Sequence, residues 1–237
     1  MKYVPDKTGR FQRRPHYDPR EIDDECERIM NEFLSSKHGA VKFPISTDDI
    51  TCLIERDAAD LDLYADLTGE GPDVQGVTDF YPKGKPRVRI TRELSEDASR
   101  ENRLRTTLTH EYGHVKFHDY VWKLDLNPAD MLKEVPSNVS PKCKRNGLLD
   151  APASDWMEWQ AGYISGALLM PITAVQNLFS EYSAHHKMFA PLVTDSDQGR
   201  TIRRMMVEKF KVSDDAARVR LLKLRFLSDR DLGPTLL

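Results

Sequence analysis

The chain has few cysteines and lacks any long apolar segment. Its 237 residues include only Cys26, Cys52 and Cys143, and three cysteines cannot all pair, which argues against a disulfide-stabilised secreted domain. Their spacing also contains no Cys-x-x-Cys pair of a zinc knuckle. No run of about 18 apolar residues is present, and the N-terminus has no apolar core of a signal peptide. These absences predict a soluble cytoplasmic protein without a membrane partner.

A large net charge is absent as well. The chain contains 35 basic and 38 acidic residues, for a formal charge of −3, so the total charge indicates no partner. The charge is unevenly distributed, because residues 46–73 are mainly acidic and residues 200–230 are mainly basic. The length allows one domain with a substantial core, or a core domain with a small helical appendage.

Apolar periodicity predicts a helical protein with one β-hairpin. Pro5 and Pro15 are expected to prevent regular structure in residues 1–18, which we expect to form an arm that is flexible or draped over the core. Residues 74–91 alternate around a Pro-Lys-Gly-Lys-Pro turn, which is typical of a hairpin. A loop is expected over residues 119–153, where prolines are frequent. Helices are predicted over residues 19–36, 46–58, 99–118, 154–171, 199–210 and 213–227.

The stretch RTTLTHEYGHVKFHDY contains the spacing His-Glu-x-x-His. On a helix, His110 and His114 lie one turn apart on the same face, so their imidazoles can converge on one cation. Neutral imidazole is a good ligand for zinc. Glu111 lies beside His110, where its carboxylate can act as a general base toward a water on the metal.

Chance is the alternative origin of this motif, since the chain has seven histidines. The surrounding residues favour a metal site. Leu104, Leu108 and Val115 form an apolar stripe along the same predicted helix. Gly113 is a poor helix former, and its presence there indicates that another backbone approaches closely.

A zinc site of this kind needs a third protein ligand. The metzincin pattern would put a histidine six residues after His114, but that position is Tyr120. His118 lies one turn beyond His114, yet three successive turns of a helix extend over about 12 Å, which is too far for the outer pair to share one ion easily. We therefore expect His118 to support or pack beside the site. Glu158 is the better candidate, although its spacing from Asp155 also suits a helix cap.

Small residues after Glu158 strengthen its assignment as a ligand. They would allow the helix that begins near Glu158 to pack closely against the helix with Gly113, and so bring the carboxylate to the metal. These small residues are Ala161, Gly162, Ser165, Gly166 and Ala167.

The segments TTLTHEYGHVKFH and EWQAGYISGALLMP together resemble the ImmA/IrrE family of metallopeptidases. In that family a His-Glu-x-x-His helix is paired with a helix that starts at a ligand glutamate and ends Leu-Leu-Met-Pro. The resemblance covers roughly residues 40–175, and the tail segment FKVSDDAARVRLLKL is similar as well. It implies that His110, His114 and Glu158 bind Zn²⁺ and that Glu111 is the catalytic base.

The resemblance also implies a fold and a substrate. It predicts an α+β protein with a minimal, thermolysin-like zincin core in residues 19–175 and a C-terminal helical region, similar to a helix-turn-helix, in residues 176–237. An edge strand of the small sheet would receive an extended substrate, and PRVRIT, residues 86–91, is the candidate, although it equally suits a structural strand with solvated arginines. Characterised family members typically cleave a helix-turn-helix repressor encoded beside them and so release stress-response, mobile-element or phage-defence genes.

A DNA-binding or antitoxin-like regulator with a structural zinc is the competing interpretation. It is based on the basic C-terminal helices, although Val219, Leu222 and Phe226 form an ordinary core stripe there. Alternatively, the chain is a protease that single-stranded DNA activates, and the basic residues of the tail and of residues 142–145 would bind that DNA. The basic residues concerned are Arg200, Arg203, Arg204, Lys209, Lys211, Arg218, Arg220, Lys223 and Arg225 in the tail, and Lys142, Lys144 and Arg145 before it.

The segment SPKCKRNG resembles the proline-basic-cysteine segment by which matrix metalloprotease prodomains mask their zinc. Its basic residues would favour the thiolate of Cys143, the form that binds zinc. Cys143 is therefore a candidate inhibitory fourth ligand, with a free cysteine in a mobile loop as the alternative. Cys26 and Cys52, by contrast, are expected in the core.

The residue that would stabilise an oxyanion is left open by the sequence. Four residues are candidates without a ranking: Tyr112, Tyr163, His118 and Arg105.

Overall fold

The computed structural model describes residues 1–71, 73–81, 83–124, 142–144, 155–186 and 191–230. Within these ranges the chain is a mixed α+β protein in which helices predominate and the sheets are small. None of the helices described is both long and apolar enough to cross a membrane. The helices are α1 (Pro19–His38), α2 (Thr47–Asp57), α3 (Arg92–Ser95), α4 (Glu101–Phe117), α5 (Asp119–Leu124), α6 (Trp156–Leu169), α7 (Ile172–His186), α8 (Asp197–Phe210) and α9 (Asp214–Lys223). The strands are β1 (Lys2–Pro5), β2 (Arg13–His16), β3 (Asp60–Ala65), β4 (Val74–Asp79), β5 (Arg87–Thr91), β6 (Lys142–Lys144), β7 (Leu192–Val193) and β8 (Leu227–Ser228).

The two N-terminal helices confirm the sequence prediction. At the start of α1, the backbone N–H of Asp18 donates to Glu21, and Gly39 ends the helix in the left-handed conformation with φ 73°. At the start of α2, the Ser46 hydroxyl accepts from the backbone N–H of Asp49 at 3.0 Å. The apolar faces of both helices are buried in the main core together with β5, α4, α6 and the C-terminal helices.

The main sheet has the strand order β3-β5-β4-β6. β4 and β5 form the predicted antiparallel hairpin, with Val77 opposite Arg89. β3 pairs with the other side of β5 in parallel, and β6 pairs antiparallel with the outer side of β4. β5 therefore lies inside the sheet, and the prediction that residues 86–91 form an edge strand is wrong.

The reason for this error is β3, which the sequence analysis did not identify. Its sequence DLDLYA contains acidic residues that are disfavoured in strands. In the sheet, however, Arg87 Nε lies 2.8 Å from Asp60 Oδ2, and Arg87 Nη2 lies 3.3 Å from Asp62 Oδ2. Arg89 pairs in the same way with Asp79, at 2.7 Å. The arginines of β5 are thus members of ion pairs across strands, which a local pattern cannot reveal.

The N-terminal arm is a β-hairpin and lies against the rest of the protein. β1 and β2 pair antiparallel with Tyr3 opposite Pro15, so the expectation that prolines prevent regular structure there is wrong; a proline is tolerated in an edge strand because its missing N–H can face outward. Phe11 is 6% exposed, and its ring lies 4.9 Å from that of Trp122 and 6.2 Å from that of Trp156. The arm is therefore draped over α5 and the start of α6.

α4 and α6 pack closely through small residues, as predicted. A Cβ on Gly113 would lie 3.3 Å from Ala161 Cα and 3.2 Å from Ile164 Cγ2, so glycine permits an approach that a larger residue would hinder. Across the same interface, the hydroxyl oxygens of Thr109 and Ser165 are 2.7 Å apart. This close contact places the histidines of α4 beside the first turn of α6.

The C-terminal helices α8 and α9 form the predicted pair. Lys211 ends α8 in the left-handed conformation, and the Ser213 hydroxyl caps α9. Arg105 of α4 donates to the backbone carbonyls of Phe210 and Lys211, which fixes the end of α8 against α4. The boundary expected between residues 175 and 176 lies inside α7.

Candidate metal centre

The motif residues of α4 are almost completely buried. The exposed fractions are 1% for His110 and 0% for Glu111 and His114, and the predicted apolar stripe on the same helix is buried as well. Burying polar side chains costs free energy unless they have partners. The partners of these three residues therefore indicate what the buried cluster is for.

Ligand atoms of His110, His114 and Glu158 converge on one point. All of them lie within 4.8 Å of one another. His110 Nε2 is 3.0 Å from Glu158 Oε2 and 3.2 Å from His114 Nε2, and Glu158 Oε1 is 3.4 Å from His114 Nε2. Two imidazoles and one carboxylate are a donor set that catalytic zinc sites use. The residues predicted as ligands are thus brought together, and their chemistry fits zinc.

His118 contacts this cluster from the far side of His114. Its Nδ1 lies 2.9 Å from Nδ1 of His114, the ring nitrogen that does not face Glu158. Its Nε2 lies 3.0 Å from Gln160 Oε1, and the centroids of the His118 and Trp156 rings are 5.5 Å apart. Burial lowers the pKa of His118 well below its usual value. This geometry agrees with the expectation that His118 supports a ligand and does not join the ligand set.

The carboxylate of Glu111 is held by β4. Thr78 Oγ1 donates to Glu111 Oε2 at 2.6 Å, while Glu111 Oε1 has no hydrogen-bond partner among the residues described. A Cβ on Gly76 would lie 2.5 Å from Oε1, so the close approach of β4 requires glycine at this position. A buried carboxylate oxygen without a partner, next to converging ligand atoms, is suited to accept a proton at a metal site.

The surroundings of the two glutamates shift their pKa values in opposite directions. Burial raises the pKa of Glu111, and the charges of His114 and His110 and the bond from Thr78 only partly oppose this. Burial also acts to raise the pKa of Glu158, but interactions with His114 and His110 outweigh it and hold the pKa well below its usual value. A carboxylate that stays ionised suits a ligand, and one with a raised pKa suits proton transfer.

The four candidates for oxyanion stabilisation all have other partners. The hydroxyl of Tyr112 donates to Asp57 at 2.7 Å, and that of Tyr163 donates to Asp23 at 2.8 Å. Arg105 binds the end of α8, and His118 contacts His114 and Gln160. The structure therefore supports none of the four in this role.

The backbone of Cys143 lies beside the centre. Cys143 is opposite Gly76 in the pairing of β6 with β4, and α4 packs against both strands. Residues 142–144 are thus a strand, which corrects the expected loop at this position. The side chain of Cys143, and with it the predicted contact with the metal, lies outside the described part of the chain, as does Arg145.

The other two cysteines differ from each other. Cys26 is fully buried in the core, as predicted. Cys52 is only partly buried, and Lys37 Nζ lies 3.3 Å from its Sγ, so its prediction as a core residue is wrong. The cause is the polar surface between α1 and α2, where Lys37 also pairs with Asp48 and Asp49.

Several basic residues of the tail have acidic partners or are buried. Arg220 is 2% exposed, lies 2.7 Å from Asp23 and donates to the carbonyl of Met170. Its inclusion in a nucleic-acid surface is therefore wrong, because a buried guanidinium cannot contact phosphates. Further ion pairs join Arg200 to Asp197, Arg203 to Asp214 and Arg218 to Asp215.

Sequence reasoning missed the residues that surround the motif. Because side chains alternate along a strand, Gly76 and Thr78 lie on the same face. A glycine followed two residues later by a threonine in the predicted hairpin could have indicated that this face contacts the motif. Gln160 and Pro15 gave no signal, because the side-chain amide of Gln160 donates to the backbone carbonyl of Pro15, which lies 145 residues earlier in the chain.

Two comparisons with known proteins found no match. No protein-family model matches the chain, and no curated protein is significantly similar to it. The resemblance to the ImmA/IrrE family stays a prediction that is based on the two motifs.

Proposed function

We propose that the chain is a zinc-dependent endopeptidase that cleaves a helix-turn-helix transcriptional repressor. The observation that carries this proposal is the convergence of His110, His114 and Glu158 beside the buried carboxylate of Glu111. The minimal zincin core is part of the same proposal. The repressor as substrate is based on the resemblance to the ImmA/IrrE family alone.

The roles of the residues follow from their contacts. Zinc held by His110, His114 and Glu158 would supply Lewis-acid chemistry and lower the pKa of water at an open position. Glu111 would accept the proton at Oε1, since Thr78 occupies Oε2 and keeps the carboxylate from rotating. Its raised pKa makes Glu111 a stronger base, and the same carboxyl group can later return the proton to the leaving amine.

β4 is the strand that best suits recognition of an extended peptide. It carries Gly76 and Thr78 against Glu111, and its outer edge already pairs with an extended segment, Lys142–Lys144. A substrate would pair with β4 in the place that β6 holds. The substrate would have to displace β6, which has only 3 residues, whereas the two neighbours of β5, β3 and β4, have 6 residues each, so β5 is less suited to this role.

The regulator with a structural zinc has less support. A structural zinc site usually has four protein ligands, whereas the set formed by the described residues has three. The ion pairs and the burial of Arg220 also reduce the basic surface on which that interpretation depends. Single-stranded DNA as an activator stays a prediction.

Cleavage of a candidate repressor tests the proposal. The zinc-loaded chain is incubated with the helix-turn-helix repressor encoded beside it, and we expect two discrete fragments. Glu111→Gln should reduce cleavage by about 10²–10⁴-fold while zinc content is unchanged. Glu101→Gln is the matched control, because Glu101 is exposed in the first turn of the same helix. Cleavage that persists in Glu111→Gln would contradict the proposed base.

A further inference from the structure

A line of hydrogen-bonding groups joins the N-terminal hairpin to the metal centre. Gln160 Nε2 donates to the carbonyl of Pro15 at 3.1 Å, Gln160 Oε1 lies 3.0 Å from His118 Nε2, and His118 Nδ1 lies 2.9 Å from His114 Nδ1. Gln160 is 1% exposed, and both histidines are 0% exposed. Bulk water therefore has little access to these contacts, and each group depends on its protein partners.

The chemistry of each group determines where the protons lie. The carbonyl oxygen of Pro15 only accepts, so the amide nitrogen of Gln160 must face it and the amide oxygen must face His118. That oxygen also only accepts, so His118 carries a proton on Nε2. A neutral His118 then has a bare Nδ1, which accepts from the Nδ1–H of His114. His114 is left with a bare Nε2, the nitrogen that faces Glu158.

The alternative proton arrangement is unfavourable for this site. A doubly protonated His118 would place a charge in a fully buried position, which costs free energy. It would also force His114 to accept at Nδ1 and to carry its own proton on Nε2. That N–H would then point at the place where a cation has to bind.

We infer that Gln160 and His118 are positioning residues, which hold the proton of His114 on Nδ1 and direct the lone pair of its Nε2 to the metal. The Pro15 carbonyl is the outer end of this relay, so the N-terminal hairpin takes part in building the site. The inference rests on the proposed zinc site and deepens it. Groups that bind the second ring nitrogen of a metal-bound histidine fix its tautomer and its orientation.

Nuclear magnetic resonance of the metal-free, full-length chain tests the proton positions directly. Long-range ¹H–¹⁵N correlations distinguish the two tautomers of neutral imidazole. We expect His114 in the Nδ1–H form and His118 in the Nε2–H form. A proton on Nδ1 of His118, or a mixture of tautomers in either ring, overturns the inference.

Zinc affinity of Gln160 variants tests the consequence for the metal. Gln160→Met removes the amide at nearly constant volume, and we expect the Kd for zinc to rise by about 10–100-fold. Gln160→Glu keeps an acceptor for His118 but loses the donor to Pro15, so we expect its Kd for zinc to rise less than that of Gln160→Met, by the part that the Pro15 contact contributes. Gln75→Met is the matched control, because Gln75 is 6% exposed and its amide accepts from Arg103 of α4.

The outcomes separate this inference from the proposed function. Equal zinc affinity of Gln160→Met and the parent contradicts the relay, and so does equal weakening by Gln160→Met and Gln160→Glu, which indicates a purely structural role. Thermal unfolding of each variant verifies that it is folded. If the parent binds no zinc, the proposed function fails, while the tautomers of the metal-free chain still decide whether the relay exists.

Discussion

α6 takes part in two buried polar clusters, and they differ in how their charges are neutralised. In the first, Tyr163 donates to Asp23 at 2.8 Å, and Arg220 Nη2 lies 2.7 Å from the other carboxylate oxygen. This second contact is a charge pair without the alignment of a hydrogen bond. Arg220 Nε also donates to the carbonyl of Met170. The cluster contains its own cation and anion, and it joins α1, α6 and α9.

The second cluster is the metal centre, whose carboxylates pair with no such cation among the residues that the structure describes. Among the residues described, no lysine or arginine pairs with Glu111 or Glu158. Imidazole nitrogens and carboxylate oxygens converge there instead, and one carboxylate oxygen of Glu111 has no hydrogen-bond partner in the described part of the chain. A buried pair that supplies both charges suits a structural role. Converging donor atoms without a lysine or arginine suit the binding of a metal ion.

The largest expected difference between the two clusters is in zinc content. The parent should bind one zinc per chain, and His114→Ala and Glu158→Ala should each retain less than about one tenth of it, because three protein ligands hold a catalytic zinc. Arg220→Met, a variant of the other cluster, should retain zinc in its folded fraction. Elemental analysis after dialysis measures this. Unchanged zinc in His114→Ala would refute the assignment, and retained zinc in Glu158→Ala alone would show that Glu158 is not a required ligand.

The next largest effect is on stability. Arg220→Met leaves the carboxylate of Asp23 buried without its cation, and we expect the free energy of unfolding to fall by about 3–5 kcal/mol. Removing the anion as well, in Asp23→Asn with Arg220→Met, should restore part of this loss. Urea unfolding measures both variants. A loss below about 1 kcal/mol for Arg220→Met would mean that the pair behaves like a surface ion pair, and the contrast with the metal centre would disappear.

More of the metal centre than of its surroundings could be predicted from the sequence. The positions of His110, Glu111 and His114 depend on helical spacing, which is a local property. Glu158 was accessible because Gly113 and the small residues of α6 indicated a close helix contact, and the structure has this contact.

The parts that the sequence did not predict depend on distant partners. β3 is stabilised by ion pairs between its aspartates and Arg87, and its own sequence disfavours a strand. The N-terminal hairpin depends on the burial of Phe11 against α5 and α6. Arg220 looked like a surface cation because its partner, Asp23, precedes it by almost the whole chain. Such contacts are tertiary and have no local signature.

A smaller effect is expected from Gly113→Ala, which tests the helix contact that brings Glu158 to the histidines. The new Cβ would press on the backbone of Ala161, which can yield only if α6 moves. Overpacking costs about 1–3 kcal/mol, and the better helix propensity of alanine returns up to about 1 kcal/mol. We expect a net loss of about 1–2 kcal/mol in urea unfolding, together with weaker zinc binding.

The control for this variant is Gly69→Ala, where a Cβ would meet nothing within 4 Å. It should change the free energy of unfolding by less than about 0.5 kcal/mol. If Gly113→Ala is as stable as the parent and binds zinc equally well, the close contact between α4 and α6 does not determine the position of Glu158.

The smallest effect concerns Asp57, a paired charge closer to the surface than Asp23. It accepts from the hydroxyl of Tyr112 at 2.7 Å and lies 3.2 Å from Lys116 Nζ, both in α4. Burial acts to raise the pKa of Asp57, but hydrogen bonds from Arg56, Tyr112 and Lys116 outweigh it and lower the pKa from 3.8 to about 2. Since the folded-state pKa is the lower one, ionised Asp57 stabilises the fold above pH 3.8. This stabilisation is lost as the pH falls through about 2.

We therefore expect Asp57→Asn to lower the free energy of unfolding near pH 7 by about 1 kcal/mol, well below the effect of Arg220→Met. The difference between parent and variant should begin to shrink below pH 3.8 and vanish as the pH falls through about 2, as the parent loses the charge that the variant lacks. Urea unfolding at about pH 7, about pH 4 and about pH 2 measures this convergence. Asp24→Asn is the control, because that carboxylate is largely exposed on α1 and, among the residues described, pairs only with Arg20, at 4.0 Å. A difference between parent and Asp57→Asn that stays constant with pH would show that the charge of Asp57 does not stabilise α4. Of the two aspartates compared, only Asp23, which is buried with Arg220, would then have a charge with a measurable structural role.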